Sequence, residues 1–169
     1  MSETEPDACP SCGAVVPGGA AGCQALADEL LARDFSDALY FAVHRLSFDT
    51  YCVQHPERYC AGRHGLPAHL GGLCSILEGG ASPAVGDPAL QRWLSGGPAI
   101  EPATPPAFRG AVTVLIAHGA NDPASYAAAV RRWAESAWEA YRELQPLARK
   151  WVRKARRAVG NRMLRGHRQ

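Results

Sequence analysis

The chain has no run of about 18 uncharged apolar residues, which excludes a membrane-spanning helix of ordinary length. Its first seven residues carry acids and no base, unlike the basic, then apolar, start of a secretory leader. These two absences predict an intracellular, cytoplasmic protein. Aromatic residues are few, at 8%, and no internal repeat is present. A helix-turn-helix or other nucleic-acid reading module is also missing, so any contact with nucleic acid would be non-specific. No acid occurs between Arg149 and Arg168, a segment with nine of the 18 basic residues. Residues 1–148 then hold nine basic and all 16 acidic residues, a net charge of −7.

What is present begins with cysteine. Six cysteines in an intracellular chain argue for metal ligands or buried small hydrophobes rather than disulfides. Cys9-Pro10-Ser11-Cys12-Gly13 places two thiols on one tight turn, a spacing that chelates a single soft ion. Cys23 follows after a glycine-rich stretch with slack enough to join them. Zinc is the expected ion. A redox role is disfavoured, because no βαβ pattern surrounds the pair. The fourth ligand must come from elsewhere, and His55, Cys60 and His64 are chemically suitable. His55, held beside Pro56 at a helix end, is the preferred one. Four protein ligands would make the site structural; three plus water would make it catalytic.

Apolar spacing predicts a mainly α chain, a helical bundle with an N-terminal zinc-binding clip. Residues 1–22 read as an irregular clip segment, 23–145 as a helical domain with a Gly/Pro-rich loop at 80–107, and 146–169 as a basic helical tail. The first helix is expected over residues 23–32, with Leu26, Leu30 and Leu31 inward. Asp34 or Ser36 would cap a second, central helix over residues 36–54, apolar nearly all round. Its flanks are Leu39, Val43, Leu46 and Val53, and Phe41, Phe48 and Tyr51. A third helix carries Pro67 in its first turn and stops at Gly79-Gly80. Residues 112–118 are assigned to helix, and Asp122-Pro123 opens a long one broken at Pro146.

The central helix carries polar chemistry. His44 and His55 share a face, but 11 residues at about 1.5 Å each hold them roughly 16 Å apart. One ion cannot bind both. His44 therefore stands as a candidate general base or metal ligand, with Asp49 as orienter or acid. Arg45 and Asp49 are spaced to pair along the helix. The competing reading is a core histidine beside a structural ion pair. His44, His69 and His118, from three helices, would form a second, open metal site of catalytic type. Such a site would serve a metal-dependent hydrolase or transferase. Arg149, Lys150, Arg153, Lys154, Arg156 and Arg157 are the residues a nucleic acid or anionic partner would meet.

Cys9-Pro-x-Cys12-Gly-Ala14, Cys23-x-Ala25, the run from Val43-His44-Arg45-Leu46 through Asp49, Tyr51 and Gln54-His55-Pro56, and then His69-Leu70 resemble an uncharacterised bacterial family of unknown function. The similarity spans Ala8 to about Trp138. It carries no activity. It implies that the three cysteines belong with His44, Asp49, Gln54, His55 and His69, and that Cys52 and Cys60 stand outside the pattern. The segment beyond Trp151 reads as an extension.

Overall fold

The computed structural model describes residues 6–166, with side chains through residue 160. The ends of the clip segment and of the basic tail thus lie outside the described residues. The chain is mainly helical. Two short strands, β1 (Pro6–Ala8) and β2 (Val15–Pro17), pair antiparallel with Ala8 opposite Val15. The expected irregular segment is therefore a small hairpin, with the Cys9–Cys12 turn at its tip.

Helix α1 (Gly19–Ser36) follows at once, longer at both ends than expected. Gly22 is required there: a methyl group at that position would lie 2.0 Å from the Pro17 carbonyl oxygen. Leu30 is buried, but Leu31 is exposed. Asp34 does not cap the next helix; it is buried within α1. Asp37 caps instead, accepting from the Leu39 N–H.

The central helix is broken. Helix α2 (Ala38–Phe41) ends before Val43, whose φ of −123° and ψ of 14° leave the helical region. Helix α3 (His44–Gln54) then starts on a new axis, and the Leu46 N–H bonds the Pro83 carbonyl of a distant loop. The break carries Leu39 off the inward stripe, so this leucine is exposed while Leu46 and Val53 are buried.

Helix α4 (Pro56–Tyr59) is one turn, and α5 (Gly65–Leu77) packs along α3. Gly72 permits that approach, since a methyl group there would lie 2.1 Å from Asp49 Oδ2. Helix α6 (Pro88–Ser95) is capped by Asp87, which also accepts from Ser75 and Arg156. Helix α7 (Val114–His118) packs on α1 and on α8 (Pro123–Ala140), which opens with an Asp122–Ser125 capping box.

Helix α9 (Gln145–Gly166) is docked rather than appended. Ala148, Trp151, Val152 and Ala155 are buried, at the spacing of one helix face turned to α5 and α6. Arg149, Lys150 and Arg156 pair with Glu78, Glu101 and Asp87. Arg153, Lys154 and Arg157 are exposed. Hydrogen bonds from Arg149 hold Glu78 below the ordinary carboxylate range. The stabilisation from this pair is full above the unfolded pKa of Glu78 and is lost as pH falls through the lower folded value. Acid titration is thus expected to loosen α9 only below the ordinary glutamate range, read by hydrogen exchange along α9. Loosening already near neutral pH would contradict this.

Buried Gln54 anchors the loop between α6 and α7. Its amide donates to the carbonyls of Arg109 (2.8 Å) and Val112 (2.9 Å) and accepts from Trp133 Nε1 (2.8 Å). Gln54→Leu would orphan two carbonyls and an indole N–H, and is expected to cost about 3 kcal/mol in urea unfolding. A loss under about 1 kcal/mol would show that water replaces the amide. Among the described residues, no helix is long and apolar enough to cross a membrane.

Candidate metal centre

The hairpin tip is shaped by its own backbone. The Gly13 N–H bonds the Cys9 carbonyl and the Cys9 N–H bonds the Ala14 carbonyl, both at 2.8 Å. Gly13 sits at φ +79°, the left-handed conformation that glycine adopts without penalty. The turn aims both thiols inward, where Cys23 arrives from the second turn of α1 and His55 from the C-terminal end of α3.

These four side chains are buried, and their ligand atoms all lie within 4.8 Å of one another. Cys9 Sγ is 3.6 Å and Cys23 Sγ 3.4 Å from His55 Nε2; Cys12 and Cys23 sulfurs are 3.6 Å apart. A tetrahedral ion with bonds of about 2.3 Å to sulfur and about 2.0–2.1 Å to nitrogen places sulfurs roughly 3.8 Å apart and sulfur and nitrogen roughly 3.6 Å apart. The cluster can therefore bind a metal ion with little rearrangement.

The imidazole is set for the task. His55 Nδ1 lies 2.8 Å from the Tyr51 carbonyl, so Nδ1 carries the proton and Nε2 presents its lone pair to the thiols. The Tyr51 ring stacks on it with centroids 3.9 Å apart. The thiols are unequal. Hydrogen bonding from Cys23, helped by the Ala14 backbone, lowers the Cys12 pKa to about 4. Cys23, which gives that hydrogen bond in a buried setting, is pushed far above the ordinary thiol range. A bound metal ion would take the remaining thiols as thiolates and offset their charge. The other cysteines differ: burial pushes Cys60 up to about 12 and Cys74 up to about 11, and keeps Cys52 a thiol as well. None of these three belongs to the cluster.

The clip is braced from outside. Arg109 Nη1 donates to the Ser11 carbonyl at 3.1 Å, and its guanidinium pairs with Glu57, which also accepts from Ser11 Oγ at 3.3 Å. Sequence reading missed Arg109, since nothing local links residue 109 to residue 11.

The polar residues of α3 lie elsewhere. His44 Nδ1 is 3.1 Å from Asp34 Oδ2, not beside Asp49. Asp34 also accepts from Ser47 (2.9 Å) and Tyr126 (2.6 Å). Asp49 binds Arg45 through both oxygens, as the spacing predicts, and its Oδ1 lies 2.8 Å from His69 Nδ1. His118 Nε2 meets Glu29 at 2.8 Å. The proposed second site is thus not gathered: His44, His69 and His118 face three different carboxylates. Among the described residues, Cys9, Cys12, Cys23 and His55 form the one group of three or more that can hold an ion. His64 bonds the Pro98 carbonyl instead.

No curated protein and no solved structure matches the chain significantly. A family model described as a family of unknown function matches residues 7–142, from the hairpin through the end of α8, and leaves α9 outside. The match takes in all four clustered ligands, and the chain belongs to this family, DUF5946.

Proposed function

We propose that Cys9, Cys12, Cys23 and His55 hold one zinc ion whose role is structural. The observation that carries this reading is four buried protein donors at tetrahedral spacing, a complete ligand set that reserves no position for water or substrate. Soft thiolates with one imidazole favour zinc over hard oxygen-seeking cations. The ion would pin the hairpin and α1 to the end of α3, and so fix the N-terminal segment onto the helical body.

Metal analysis of protein purified without chelator tests this. About one zinc per chain is expected, with a marked fall in melting temperature on chelation. Protein without zinc, or zinc retained in Cys12→Ser protein, would overturn the reading.

A second reading, a hydrolase or transferase, rests on a separate observation. His44 and His69 each turn Nδ1 to a buried carboxylate, which orients the ring and leaves Nε2 as the proton acceptor. Here Asp34 orients His44, and Asp49 orients His69. A metal that survives loss of the cysteines but disappears in His44→Ala protein would favour the metal-dependent form.

A further inference from the structure

Between α1 and α3 lies a cleft walled largely by aromatic rings. Phe48, Tyr51, Tyr59 and Trp133 line it, together with the carboxylate of Asp34. Consecutive rings meet nearly at right angles: Phe48 and Tyr59 at 73°, Tyr59 and Tyr51 at 70°, Tyr51 and Trp133 at 70°. Their centroids are 5.8–6.4 Å apart, so each ring meets the next edge to face rather than in a stack. The two tyrosines are tied together. Both tyrosine hydroxyls donate to Gln24 Oε1, at 3.3 Å and 3.0 Å, and Gln24 also binds Asp28 at 2.8 Å.

The electrostatics have one sign. The lining includes two carboxylates, Asp34 and the exposed Asp28, and no lysine, arginine or histidine. Asp34 is 1% exposed, and its one ion-pairing partner among the described residues is His44. Its oxygens accept from Ser47 and Tyr126 as well, so it lends the cleft its charge through space rather than through a free oxygen. Arg45 and Arg58 lie over the rings of Phe48 and Tyr59, but neither lines the cleft. Ring faces and a buried carboxylate together favour a cation stripped of water.

Size narrows the class. About 60 Å³ is open to the centres of water molecules, where one water takes about 10–15 Å³. That holds about four waters or one compact head group, and is far below the 300 Å³ or more of an ordinary cofactor pocket. We infer that this cleft is a binding site for a small organic cation, an alkylammonium or trimethylammonium head group, standing with its tail toward solvent past exposed Leu31.

Calorimetric titration of the full-length, metal-loaded protein with choline chloride and tetramethylammonium chloride, against sodium chloride at equal ionic strength, tests it. Both cations are expected to bind, and 3,3-dimethylbutan-1-ol, the neutral isostere of choline, about tenfold more weakly or not at all. Phe48→Leu keeps an apolar side chain but removes one wall, and is expected to weaken choline about fivefold with metal content and melting temperature retained. Asp28→Asn, at an exposed position of the lining, keeps the shape and removes a charge, and is the second variant should Phe48→Leu fail to fold. Equal affinity for the neutral isostere, no saturable binding into the ~10 mM range, or undiminished binding in the folded variants would each overturn the assignment. Zinc is counted in the same samples, so a wild type that binds choline without zinc would sink the metal reading and leave this one standing.

Discussion

If Cys9, Cys12, Cys23 and His55 hold zinc as proposed, Cys12→Ser protein is expected to lose it and to melt about 10 °C or more below wild type. Serine cannot supply a thiolate, and Cys12 is the thiol most readily ionised in the cluster. Three donors remain, one short of the tetrahedral set that a structural site requires. Structural zinc carries about 10–16 kcal/mol of folding free energy in small peptides. Here the helical body keeps its own core, in which Leu46, Leu70, Trp133 and Trp151 are buried on four helices, so the loss is smaller. About 4 kcal/mol is a reasonable expectation, and a chain of this length shifts by about 2–4 °C per kcal/mol. Calorimetry with metal analysis on the same samples checks it. Unchanged melting with full metal loss would show a bound ion that does not brace the fold.

Asp49→Ala is expected to destabilise by about 3–5 kcal/mol, because it strands charge rather than merely removing a contact. Asp49 is 0% exposed, and both its oxygens are engaged by Arg45, with His69 on Oδ1. Without it, the Arg45 guanidinium, itself only 23% exposed, has no partner at that end of α3. The gap would lie against Gly72, which has no side chain to fill it. Urea unfolding at fixed zinc measures the effect, and Asp49→Asn is expected to fall between the two. A loss below about 1 kcal/mol would mean that Arg45 swings into water and that the pair is no part of the core's support.

The clip was legible because its signals are local and geometric. Two thiols on one turn announce a chelate, and helical rise alone separates His55 from His44. Other features carried no such mark. Asp34 reads as a cap in its sequence surroundings, yet its partners Ser47 and Tyr126 lie 13 and 92 residues away. The break at Ala42–Val43 has no Pro or Gly to announce it; there the Leu46 N–H bonds the Pro83 carbonyl, a tertiary contact that no local signal reveals. In α9 the stripe of Ala148, Trp151, Val152 and Ala155 is plain once the docked face is known. Dense positive charge masks that stripe in the sequence, although half of the six named cations are spent on Glu78, Glu101 and Asp87.

The ligand set joins chain segments 32 residues apart, from Cys23 to His55. A closure of that length, made by a covalent bridge, would remove roughly 4 kcal/mol of chain entropy from the unfolded ensemble. An ion at these four atoms is the reversible counterpart of such a bridge. Its strength is set by supply rather than by redox potential, and each tenfold fall in free zinc weakens it by about 1.4 kcal/mol. The abundance of the folded chain in a cell would then follow metal availability, so that starvation for zinc would shorten its lifetime before any other part of the molecule had changed.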